Sequence, residues 1–189
     1  DGLEYLKVLA NEWDNILLKA KTAYAKKRDK AGDTGTAVHD WCERFIKSKI
    51  AGEKPPAREE VIGHMTDNFV KWAEDNKVKF ISSEQRVYSE KAWYCGTYDF
   101  DCEIDGKLFL ADLKTSSGIY PEMFFQCAAY QHAVQEMAKP NEVPIYGNLI
   151  INCKKDGTIQ VEASTQYEGN LSAFMGALAI YRRLNELKN

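Results

Sequence analysis

Three residues have types and spacing that can do chemistry together: Asp99, Asp112 and Lys114. Asp112 and Lys114 are two apart at the end of an apolar run, so on a β-strand they project from one face. A carboxylate and an ammonium emerging side by side after Phe109, Leu110 and Ala111 are poorly explained by core packing, because each is expensive to bury alone. Asp105-Gly106 is a dipeptide favoured at two-residue hairpin turns, and that turn returns Asp99 to the same strand end. Two carboxylates brought together repel, and sharing a proton or binding a cation relieves them; hard oxygen ligands with open water positions suit Mg²⁺ or Mn²⁺. The lysine can then orient or deprotonate water, or stabilise charge on a phosphorane. Taken alone, however, Asp-x-Lys is more simply a same-face ion pair on an exposed strand, since such tripeptides are common.

The elements that must position these groups follow from periodicity. Apolar residues at helical spacing over 3–24 (Leu6, Leu9, Ala10, Trp13, Leu17) predict a first helix, followed by the basic cluster Lys26, Lys27, Arg28 and Lys30. That cluster is the best local candidate for phosphate contact, although a charge run is more often a solvated helix end. Gly32, Asp33, Thr34 and Gly35 predict a break before a second helix carrying Val38, Trp41, Cys42, Phe45 and Ile46, with His39 in its first turn. After Pro55 and Pro56, a third helix presents Val61, Ile62, Met65, Phe69 and Trp72 on one face.

Short β-prone stretches come next, at 78–83, 86–88, 98–104 and 108–113. Pro121 opens a helix to about Met137, and two more strands, 145–152 and 158–163, flank a second turn at Asp156-Gly157. A last helix carries Leu171, Phe174, Met175, Leu178, Tyr181 and Leu184. Helices bracketing a sheet predict an α/β fold in two or three layers, with residues 1–77 mainly helical and 78–189 holding the sheet. At 189 residues a single domain is the default.

Composition narrows the function classes. With 44% hydrophobic and 28% charged residues the chain reads as an ordinary globular protein, and no apolar run reaches the roughly 18 to 20 residues of a membrane span. Asp1, Gly2 and Leu3 show no secretory pattern. Five cysteines, without a C-x-x-C pair, argue against zinc or an iron–sulfur cluster and predict reduced, mostly buried thiols in a cytoplasmic protein. A net charge of −3 argues against coating nucleic acid by bulk electrostatics but permits an enzyme that grips a few phosphates.

Longer motifs reverse the bland reading of Asp-x-Lys. Gly96-Thr97-Tyr98-Asp99 is followed after the hairpin by Asp112-Leu113-Lys114-Thr115-Ser116, then by Gln126 and Tyr130, four apart on one helical face; upstream stands Gly35-Thr36-Ala37-Val38-His39. In this order the residues resemble the PD-(D/E)XK nuclease superfamily, in particular its RecB-like exonuclease branch, with G-x-x-D, D-x-K-T-S, Q-x-x-x-Y and G-T-x-x-H motifs. The resemblance spans roughly half of the chain. It implies a restriction-endonuclease-like core, a central mixed β-sheet flanked by helices, with a helical N-terminal segment.

It also implies roles. Asp99 and Asp112 would bind Mg²⁺ or Mn²⁺ with the Leu113 carbonyl and a His39 nitrogen. Lys114 would position the attacking water, Gln126 and Tyr130 would hold the lysine or contact the scissile phosphate, and Glu84 would assist with a second metal. The nitrogen ligand biases the site towards Mn²⁺. The cluster-forming cysteines of several relatives, including the CRISPR-associated ones, are absent in that spacing, and there is no G-x-x-x-x-G-K-[ST] motor motif. The expected activity is thus a DNA exonuclease in recombination, repair or phage replication, working with other such proteins in a bacterial, archaeal or phage-encoded setting. An endonuclease, a non-catalytic nucleic-acid-binding module and an enzyme acting on another phosphoester are the alternatives.

Overall fold

In a computed structural model, residues 32–138 and 144–187 are described. The helix expected over 3–24 and the cluster Lys26, Lys27, Arg28 and Lys30 lie outside them. The chain divides into two compact units, Asp1–Ala37 and Val38–Asn189. The described helices and strands lie in the second unit, apart from the opening turns of the helix over 32–51.

Helix α1 (32–51) is followed by α2 (Gly63–Asp75), strands β1 (Lys79–Ser89), β2 (Tyr94–Ile104) and β3 (Lys107–Lys114), helix α3 (Pro121–Met137), strands β4 (Gly147–Cys153) and β5 (Ile159–Ser164), and helix α4 (Tyr167–Glu186). The strands form one sheet in the order β1-β2-β3-β4-β5. All neighbours are antiparallel except β3 and β4, which run parallel and are joined through α3. The expected α/β fold with a central mixed sheet flanked by helices is observed. No helix among the described residues is long and apolar enough to cross a membrane.

Turn chemistry sets the register. Asp105 and Gly106 both have positive φ, 50° and 74°, as a two-residue hairpin of the mirror-image type requires, and Ile104 pairs with Lys107 across them. At the β4–β5 turn only Gly157 is left-handed, at 84°, and the N–H of Lys154 donates to the Thr158 carbonyl.

The core has two halves, one on each sheet face. Val38, Trp41, Cys42, Phe45 and Ile46 form a buried stripe on α1. They join Met65 and Phe69 of α2, and the rings of Phe45, Phe69, Phe80 and Phe100 meet edge to face or tilted at 5.5 to 6.2 Å. On the other face Val87, Tyr98, Leu110 and Ile150 pack with Cys127 and Ala133 of α3. Four of the five cysteines are buried, and all five are free.

Several expectations are corrected. Gly32, Asp33, Thr34 and Gly35 are helical, so His39 sits about two turns past residue 32 instead of in the first turn; the buried stripe that begins at Val38 anchors a helix whose first residues favour a turn by propensity alone. Val61 precedes α2 and is 81% exposed. The stretches 78–83 and 86–88 are one strand, because pairing with β2 continues past Glu84. Strand β2 starts four residues early, at Tyr94. Helix α4 has no buried residue, and Tyr181 and Leu184 of its expected apolar face are exposed.

A pair of glycines separates conformational from packing effects. A side chain would meet nothing at Gly106 or at helical Gly176. Gly106→Ala should lower unfolding free energy by roughly 1 kcal/mol, and Gly176→Ala should raise it by about 0.5 to 1 kcal/mol, both read by urea denaturation.

Candidate active site

Both members of the β1–β2 hairpin turn over at one point. Residues two apart on a strand normally share a face, yet Tyr98 faces α3, its ring 6.4 Å from that of Tyr130, whereas Phe100 faces α2. On β1 the partners of these residues are Gln85 and Ser83, and Glu84 between them has φ 53°. Asp99 lies opposite this kink. Paired β2–β3 backbone ends at Phe100 and Ala111, and beyond it the Asp99 side chain continues the ladder: Leu113 N–H donates to Asp99 Oδ2 at 2.5 Å.

Around Asp99 the other predicted residues gather. His39 of α1 places Nδ1 3.5 Å from Asp99 Oδ1. From β3, Asp112 and Lys114 point toward α3; Lys114 Nζ contacts Asp112 Oδ2 and donates to Gln126 Oε1 at 3.3 Å, while Gln126 Nε2 donates to the Tyr130 hydroxyl at 2.8 Å. Thus His39 with Asp99, and Asp112 with Lys114, Gln126 and Tyr130, form two contact chains related by the charge of Asp99 on Asp112. Glu84 is exposed at the kink beside it and makes no hydrogen bond among the described residues.

Electrostatics single out Asp112. It is 4% exposed, and its Oδ2 is in contact with the Lys114 ammonium. Burial, then the negative charge of Asp99, push its carboxyl up to about 6 despite Lys114 and His39. At His39, burial alone would lower the imidazole, but the hydrogen bond and charge of Asp99, with Asp112 behind it, outweigh burial and raise it. Burial and then Asp99 and Glu43 raise the Glu84 carboxyl. Burial and the Asp112 charge push the Tyr130 phenol up to about 12, so it is neutral at pH 7.

Two contributors escaped the sequence reading of roles. Gly96 lies where a Cβ would overlap Tyr130 Cε1, so the glycine of Gly96-Thr97-Tyr98-Asp99 is what admits the tyrosine to the site. Asn152, fully buried on β4 opposite Lys114, donates through Nδ2 to the Ser116 carbonyl at 3.2 Å and fixes the turn after the lysine; its Oδ1 is buried without a partner. The signal was present: Asn148 and Asn152 interrupt an otherwise apolar strand at a spacing of four, which puts both on one face. Asn148 Nδ2 donates to Gln131 Oε1 of α3 at 2.9 Å.

Among the described residues, no three His, Cys, Asp or Glu side chains already converge at metal-binding distance. A cation between Asp99 and Asp112 therefore has to complete its shell with backbone oxygen and water. The Leu113 carbonyl fits this need: its N–H is aimed at Asp99, and in a strand the carbonyl of the same residue leaves on the same side. The carboxylate pair and this carbonyl fit Mg²⁺ or Mn²⁺, which bind through one or two carboxylates and keep waters.

No protein-family model matches the chain, and no curated protein is significantly similar to it. Among solved structures, one described as the crystal structure of SSO0001 is 13% identical, with 68% of this chain and 59% of that one aligned and a TM-score of 0.37. The chain thus spans under two thirds of that protein, and a likeness this distant carries no argument.

A carboxyl whose pKa rises on folding, here from 3.8 to about 6, adds stability below pH 4 that is lost as pH rises through 6. In EDTA at pH 8, Asp112→Asn should raise the melting temperature by roughly 2 to 6 °C, and the gain should vanish near pH 4. Gly96→Ala should destabilise the fold by displacing Tyr130, and Gly96→Ala with Tyr130→Ala should be less destabilising than the sum of the two, with a coupling of roughly 1 kcal/mol by denaturant titration.

Proposed function

We propose that this chain is a divalent-metal-dependent nuclease that hydrolyses DNA phosphodiester bonds from an end. The observation that carries the reading is Asp112: a buried carboxylate held beside the charge of a second carboxylate, with a lysine two residues along on the same strand face. A buried carboxylate pair answered by one lysine keeps excess negative charge at the site, which a bound cation relieves. The succession of helices, three-stranded meander, helix and parallel strand supports the restriction-endonuclease-like resemblance of the motifs.

Asp99, Asp112 and the Leu113 carbonyl would hold Mg²⁺ or Mn²⁺, with His39 on the Asp99 side. When bound, the metal supplies a water of lowered pKa and Lewis-acid stabilisation of a phosphoryl oxygen. Lys114, restrained between Asp112 and Gln126, orients water or compensates charge on the phosphoryl group. Gln126 keeps the lysine in place because its amide is oriented by Tyr130, whose neutral hydroxyl accepts from Nε2. Glu84, at the kink, would assist with a second cation. Grip on phosphates without base readout suits end processing in recombination, repair or replication.

Labelled linear DNA should be degraded with Mn²⁺, more slowly with Mg²⁺ and not in EDTA, while covalently closed circles stay intact. Asp112→Ala and Lys114→Ala should each lower the rate by about 10²-fold or more, and His39→Ala should narrow the preference for Mn²⁺. Cutting of the circle would reassign the activity as endonucleolytic. No cleavage of any DNA by folded protein with either metal overturns the proposal.

A further inference from the structure

Beyond Asp99 the β1–β2 hairpin continues without β3 beside it, and its tip presents aromatic surface to solvent. Trp93 is 81% exposed and Tyr88 48%. With exposed Cys95 they border a hollow of about 260 Å³ walled mostly by apolar atoms. An exposed tryptophan on a loose loop would mean little, but this one is displayed on a fastened turn. The Glu136 carboxylate of α3 accepts the N–H groups of Glu90 and Lys91 and the Ser89 hydroxyl, while Ser89 Oγ accepts the Ala92 N–H. From α4, Arg182 Nη2 donates to the carbonyls of Ala92 and Trp93, at 2.6 and 2.7 Å. These bonds hold Trp93 in the left-handed region at φ 56°, a conformation that bulky residues avoid unless their surroundings impose it.

The face of the hairpin turned away from α3 leads from this tip to Asp99, which meets His39 of α1. Arg86 and Tyr88 of β1 stand opposite Thr97 and Cys95 of β2, all four exposed, and the Arg86 side chain has no hydrogen bond or ion pair among the described residues. Glu90 also borders the hollow, so a phosphate is disfavoured inside it, while Arg86, nearer Asp99, offers a cation. Planar uncharged rings at the tip and a free guanidinium along the path match the alternation of base and phosphate in a single strand.

Resting on the nuclease reading, we propose that the hollow bounded by Tyr88, Trp93 and Cys95 stacks an unpaired base of the single DNA strand whose end lies at Asp99. Six residues separate Trp93 from Asp99, about 20 Å of strand, or the rise of about six stacked nucleotides. Oligonucleotides shorter than that cannot reach both places.

Cys95, the exposed thiol, reports occupancy directly. The whole chain in EDTA is alkylated with iodoacetamide, with and without an oligothymidylate of roughly 12 nucleotides. The oligonucleotide should slow Cys95 alkylation several-fold in the unsubstituted protein and not in Trp93→Ala, whose affinity by fluorescence anisotropy should fall roughly tenfold. An oligothymidylate of about four nucleotides should give no protection. Unchanged melting of Trp93→Ala excludes misfolding, and Trp93→Phe should keep most of the binding. Alkylation unaffected by the oligonucleotide, or protected equally in Trp93→Ala, overturns the proposal. If DNA is cleaved with Mn²⁺ yet Cys95 is unprotected, only this inference falls; if Cys95 is protected but no DNA is ever cleaved, the nuclease reading falls instead.

Discussion

Repulsion between Asp99 and Asp112 is the constraint around which the site is organised. Two carboxylates at the point where β2 and β3 part company would drive the strands asunder unless each negative charge were answered. The protein answers them from three directions: Leu113 N–H and His39 at Asp99, Lys114 at Asp112, and α3 behind the lysine. The answer is incomplete in charge, since burial and the Asp99 carboxylate still raise the Asp112 carboxyl with Lys114 in contact.

Such an arrangement needs a sheet that is covered on both faces yet open at one place. The Phe45, Phe69, Phe80 and Phe100 rings fix one face and the Leu110, Cys127 and Ile150 layer fixes the other. The change of face between Tyr98 and Phe100 lets His39 approach from α1 while Gln126 and Tyr130 approach from α3. A regular strand could not offer Asp99 to both sides. The left-handed Glu84 is the local strain that makes this possible, and strain of that kind persists only where the surrounding packing imposes it.

Sequence reasoning reached most of the sheet because its signals are local. Asp105-Gly106 specifies a turn by its own φ preferences, Asp112 and Lys114 share a face by alternation, and Gln126 and Tyr130 share one by helical spacing. It failed where the deciding partner is distant in the chain. The helical state of Gly32–Gly35 opposes their turn propensity, the fusion of two stretches into β1 depends on pairing with β2, and the exposure of Tyr181 and Leu184 depends on what α4 packs against. The reason for Gly96 was invisible for the same cause, since the ring it must avoid lies 34 residues further on.

Helix α4 buries none of its residues, yet it supplies Arg182 to the carbonyls that end the β1–β2 turn. Elements with few buried contacts are the ones that open by local fluctuation while the rest of a domain stays folded. Fraying of α4 would remove the Arg182 bonds from the turn around Trp93 and leave it the Glu136 bonds from α3, while Asp99 and Asp112 keep their supports from α1, β3 and α3. Substitutions along the outer surface of α4 would therefore change amide protection at the hairpin tip more than at Asp99 and Asp112.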